Sequence, residues 1–96
     1  MDMLLWLQNW YKEQCDGDWE HLFGIKIDTL DNPGWSVDID LTDTNLVDAS
    51  FETLDLTGET NWIYCTIRNS KFVGRGDETK LLEILSVFKK WVEENN

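Results

Sequence analysis

The chain has 96 residues, with 42% apolar content and a formal net charge of −11. That is one domain with a modest interior, too apolar for a charge-extended disordered chain and too acidic to gain affinity from nucleic-acid phosphates. The acids are unevenly spread. Residues 16–59 carry twelve of them against one base, Lys26, an excess equal to the net charge of −11, while the flanking stretches balance. Such a block steers cationic partners, so the composition points to a partner rather than a substrate.

In chain order, Asp2 is placed to cap a first helix reaching about Gln14, with Leu4, Leu7, Tyr11 and Met3, Trp6, Trp10 at helical steps. The apolar run at this end lacks leading Lys or Arg and is too short to span a membrane, so a cytoplasmic protein is expected. Gly17 is a suitable left-handed stop. From Gly24 the period changes to two. Ile25 and Ile27 oppose Lys26 and Asp28, and Trp35, Val37, Ile39 and Leu41 oppose Ser36, Asp38 and Asp40. Between these runs Asp31-Asn32-Pro33-Gly34 reads as a hairpin turn, with Pro33 presetting φ and Gly34 taking a positive φ.

A polar connection from Asp43 to Ser50 precedes a third strand near residues 51–57, a fourth at 62–68 and a short fifth at 71–74. Asp77 is expected to cap a last helix whose stripe is Leu81, Leu82, Leu85, Phe88, Trp91 and Val92. Two amphipathic helices and an alternating sheet share one core most economically when both helices lie on one face. The expectation is an α+β domain spanning 1–96, an antiparallel sheet of about five strands with an N-terminal and a C-terminal helix on one face. No repeat or linker suggests a second domain.

Cys15 and Cys65 are expected to be free thiols, since nothing points to export. Asp16, Asp18 and Glu20 lack the spacing of a calcium loop. His21 is the sole histidine and has no nucleophile at a telling spacing. Asp28, Asp38 and Asp40 could hold a divalent ion, which keeps a small carboxylate-based metal-dependent or acid–base enzyme as the alternative. Solvated sheet faces routinely carry such acids, which is the plainer account of them. Gly74-Arg75-Gly76 is too short for a phosphate loop. No cofactor is expected.

By strand parity the uncovered sheet face gathers Asp28, Asp38, Asp40 and Asp55 with Trp62 and Tyr64. Acids would speed the approach of a basic protein, and aromatics could then be desolvated to give affinity.

Several stretches together resemble a known family. They are Leu5-Trp6-Leu7-Gln8-Asn9-Trp10-Tyr11, Cys15-Asp16-Gly17-Asp18-Trp19-Glu20-His21, Gly24-Ile25-Lys26-Ile27 and Leu30-Asp31-Asn32-Pro33-Gly34-Trp35-Ser36-Val37. In this order they are similar to the immunity protein 53 family of bacterial polymorphic toxin systems. The resemblance implies an antitoxin that binds a cognate toxin domain, often a nuclease with a basic surface. The charge and the short apolar run speak against nucleic acid and membrane as partners, and a non-enzymatic monomer, or a small homodimer through an open sheet edge, is expected. The motif residues Trp19, Glu20, Pro33, Gly34 and Trp35 have a structural reading too: a turn, an inward Trp, and a pin for the first loop.

Overall fold

A computed structural model describes residues 2–95. The elements run α1 (Met3–Gln14), α2 (Trp19–Leu22), β1 (Ile25–Leu30), β2 (Gly34–Asp40), β3 (Leu54–Leu56), β4 (Ile63–Arg68), β5 (Lys71–Gly76) and α3 (Leu81–Glu94). The five strands form one antiparallel sheet in the order β1-β2-β5-β4-β3. One face carries Val37, Ile39, Phe72, Ile63 and Cys65, all buried with Ile84, Leu85 and Phe88 of α3 and with Leu7 and Trp10 of α1. The α+β architecture expected from the sequence is the observed one.

Local chemistry accounts for the elements. Asp2 caps α1 by accepting from the backbone N–H groups of Leu4 (3.0 Å) and Leu5 (3.4 Å). Gly17 does adopt a positive φ, +97°. β4 and β5 close through Asn69 and Ser70, both at positive φ (53° and 60°), the two-residue type I′ geometry that matches strand twist. The β1–β2 loop differs from expectation, because Leu30 pairs with Gly34 and the turn is the three residues Asp31–Pro33. Gly34 is not among the positive-φ glycines; a Cβ there would run into the carbonyl oxygen of Gly76 on the neighbouring strand. Close strand packing, not turn geometry, demands this glycine.

The last helix begins later than expected. Asp77 caps the turn before it, accepting from the Thr79 N–H (2.8 Å) and hydroxyl (2.6 Å), and α3 starts at Leu81. Its buried stripe is Ile84, Leu85, Phe88, Trp91 and Val92, while Leu82 is 62% exposed. A Cβ on Gly74 would collide with the Ile84 side chain, so β5 presents a bare backbone on which α3 rests. Aromatic edges tie the layers: Trp10–Phe88 at 5.0 Å, Phe72–Phe88 at 5.1 Å and Phe51–Trp91 at 5.4 Å.

β3 is only three residues long. The connection before it is not simply polar: Leu46 is fully buried, and Thr44 bonds the Leu41 carbonyl and the Leu46 N–H. Both cysteines are free thiols, and burial pushes Cys65 up to about 12.

Candidate functional site

The pairing register assigns the uncovered face strand by strand. β1 contributes Lys26 and Asp28, β2 Asp38 and Asp40, β5 Lys71 and Arg75, β4 Tyr64 and Arg68, and β3 Asp55. Asp28, Asp38, Asp40, Asp55 and Tyr64 therefore do share one face. Trp62 directly precedes β4 and is half-buried, with its backbone N–H donated to the Asp77 carboxylate at 2.8 Å.

The face is not one-signed, which corrects the sequence expectation. β5 lies between β2 and β4 and brings bases among the acids. Arg75 Nη1 stands 2.9 Å from Asp38 Oδ1, and Lys71 Nζ stands 3.7 Å from Asp40 Oδ1. Asp40 also accepts from the Gly24 N–H at 3.0 Å, and Lys26 is the cross-strand neighbour of Asp38. Asp28 and Asp55 form no ion pair among the described residues. Asp28 accepts from the Thr29 N–H and Asp55 from the Thr57 hydroxyl, each at 2.9 Å, and Asp55 is the cross-strand neighbour of Tyr64. Consecutive bases in the sequence, Arg68 to Arg75, look like part of a neutral flank. Only their alternation with Phe72 and Gly74 signals that they share a face with the acids.

The aromatic side chains near the sheet differ in how far they are engaged. The indoles of Trp19, Trp35 and Trp91 donate to the carbonyls of Thr42 (2.9 Å), Glu78 (3.0 Å) and Ser50 (2.8 Å). Trp62 and Tyr64, half-buried, make no side-chain hydrogen bond or ring contact among the described residues. Such aromatics are ready to be covered.

The motif around Trp19 is structurally employed. Asp16 accepts from the backbone N–H groups of Trp19 and Asp18, and Glu20 reaches back to those of Asp16 and Gly17. Such bonds favour the charged forms, holding both carboxyls below their usual range; for Asp16 the Trp19 N–H leads, for Glu20 its own backbone N–H. Trp19 is 2% exposed and packs against Trp10, Tyr11 and Phe23. Trp35, by contrast, is only half-buried, packed against the core.

Catalytic geometry is sparse. His21 is exposed on the short α2, and no three His, Cys, Asp or Glu converge on a metal position among the described residues. A cleft of about 450 Å³ between α1, α3 and the segment after β2 is lined by Trp6, Trp10, Glu13, Asp43 and Glu93. Lys89 of α3 closes on this region, 3.0 Å from Glu93 and 5.9 Å from the Trp6 ring centre. No helix among the described residues is long and apolar enough to cross a membrane.

Residues 4–93 match the family described as Immunity protein 53. The chain belongs to the immunity protein 53 family. An immunity role follows from that membership, and the match reaches every element just described, stopping one residue inside α1 and α3 at the two ends. No curated protein and no solved structure matches the chain.

Proposed function

We propose that this family member is a cytoplasmic, non-enzymatic antitoxin that neutralises a cognate bacterial toxin domain with a basic surface, a nuclease being the class that fits best. The observation that carries the reading is the charge of −11 concentrated in residues 16–59 of an immunity-family domain. A surface built to grip phosphates is cationic, and an acidic protein seated on it competes with nucleic acid for the same charges. Steering sums over the whole molecule, so it survives the ion pairs on the sheet.

Docking through the sheet face would use Trp62 and Tyr64 as anchors, with Asp55 beside Tyr64 and Asp28 at the far β1 edge as carboxylates outside any ion pair among the described residues. Asp38 and Asp40 would contribute by exchanging Arg75 and Lys71 for bases of the partner. That exchange is close to neutral in energy and adds specificity more than affinity.

The test is association kinetics with the toxin domain encoded beside the gene, at several ionic strengths. Raising salt from 0.05 to 0.5 M should slow association by about tenfold or more, with a smaller change in dissociation. An association rate indifferent to salt would refute electrostatic capture. Trp62→Ala should raise the dissociation rate.

A further inference from the structure

β1 is the long, open edge of the sheet. Asp40 donates its N–H to the Gly24 carbonyl (3.0 Å), which makes Gly24 and Asp40 a hydrogen-bonded pair. The unbroken register from Ile25↔Ile39 to Leu30↔Gly34 then turns the backbone groups of Lys26, Asp28 and Leu30 toward β2 and those of Ile25, Ile27 and Thr29 outward. The outward Thr29 N–H is closed by the Asp28 carboxylate at 2.9 Å, whereas the amides of Ile25 and Ile27 have no partner among the described residues. No proline or bulge interrupts this edge, and the opposite edge, β3, has only three residues.

Behind the same edge, on the helix side of the sheet, α1 stands off from β1. The space between them is a groove of about 570 Å³ lined by Leu4, Leu7, Tyr11, Phe23 and Ile25. Of its lining, Leu4 is 67% and Tyr11 37% exposed; Ile27, next along the same face of β1, is 39% exposed, and Leu22, next to Phe23, 73%. This is an apolar patch at an open sheet edge, of the kind that protein interfaces bury. Glu20 lies at the Tyr11 end; it and, more strongly, Cys15 raise the Tyr11 phenol. Asp28 lies on β1 itself, and the bases nearby in the chain are Lys12 and Lys26.

We propose that the β1 edge and the groove behind it receive an extended segment of the cationic toxin domain, added to the sheet as a sixth strand. Strand addition supplies main-chain hydrogen bonds to Ile25 and Ile27. Alternate side chains of the incoming segment then fall on opposite faces: apolar ones into the groove against Leu4 and Tyr11, basic ones toward Asp28. A second copy of this chain is the poorer occupant, since each copy brings a charge of −11. The inference rests on the partner being the toxin domain proposed above.

Ile27→Pro removes the outward N–H without touching the bond ladder to β2, and Leu4→Gln makes the groove rim polar at an exposed site. Binding of each variant to the neighbouring toxin domain is measured beside the wild type, with circular dichroism as the folding check. Expected losses are about tenfold or more for Ile27→Pro and about threefold to tenfold for Leu4→Gln. Should Ile27→Pro fail to fold, Leu4→Gln alone decides. Wild-type binding with undiminished affinity in the folded variants would overturn strand addition and leave the antitoxin reading standing. Absence of any wild-type complex would remove both. A concentration-dependent dimer abolished by Ile27→Pro would reassign the edge to a second copy and overturn the proposal as well.

Discussion

α3 and α1 carry the same kind of apolar stripe, yet they do different work. α3 buries Ile84, Leu85, Phe88, Trp91 and Val92 against the middle of the sheet, on a β5 strand cleared by Gly74 and Gly76. α1 buries only Leu7 and Trp10 and leaves Leu4, Leu5 and Tyr11 exposed. The closed half of the domain holds the fold together. On the α1–β1 half, apolar area exceeds what the core takes up, and an interface is where such a surplus becomes useful.

The largest effect that would test this contrast is on stability. Phe88→Ala should cost about 4 kcal/mol, because the ring is fully buried among Trp6, Trp10, Phe72 and Trp91. Leu4→Gln, on the open half, should stay within about 0.5 kcal/mol in urea unfolding. Comparable losses would erase the distinction between the halves.

Acid sharpens the contrast next. Asp77, buried on the closed half, has its carboxyl held well below the usual range, first by the Thr79 hydroxyl, then by Lys80 Nζ at 2.9 Å and by the Thr79 and Trp62 backbone N–H groups. Its folded pKa is depressed, so its stabilisation is fully present above about pH 5. The contribution drains away as pH falls through about 4 toward the folded value. Asp77→Asn should melt earlier at pH 7 and show a shallower loss of stability on acidification. An acid limb of unchanged slope would show that this carboxylate does not govern it.

The smallest effect is chemical. A thiol reagent at pH 8 should modify Cys15, beside the open half, and spare Cys65, whose thiol is fully buried and raised to about 12. Equal labelling of both in the native protein would mean that the closed half opens readily.

Periodicity made much of this fold legible. Alternation in 25–28 and 35–41 and the capped opening helix are where the residues indicate, and five strands with two flanking helices follow from them. The helix entry of α3 misled because Asp77 is a good cap for any turn. The stripe is also centred differently from expectation: at about 3.6 residues per turn Ile84 falls between Phe88 and Trp91 on the buried arc, while Leu82 falls beyond Leu85 toward solvent. The four-residue α2 is too short to show a period.

The charge pattern of the sheet face was hidden for a topological reason. Strand parity tells which residues share a face, but not which strands are neighbours, and β5 sits beside β2 across an excursion through β3 and β4. Asp38 and Asp40 thus meet Arg75 and Lys71, partners more than thirty residues away. The apolar surplus of α1 was equally invisible, since a wide stripe looks the same whether its far side meets core or solvent.

Three indoles reach from α2, β2 and α3 to carbonyls in irregular stretches: Trp19 to Thr42, Trp35 to Glu78 and Trp91 to Ser50. Each acts as a clasp on a loop that would otherwise wander. Asp43 and Asp48 therefore ride on tethered backbone. Anything meeting these carboxylates finds their layout already set, and less disorder has to be surrendered when the two surfaces close.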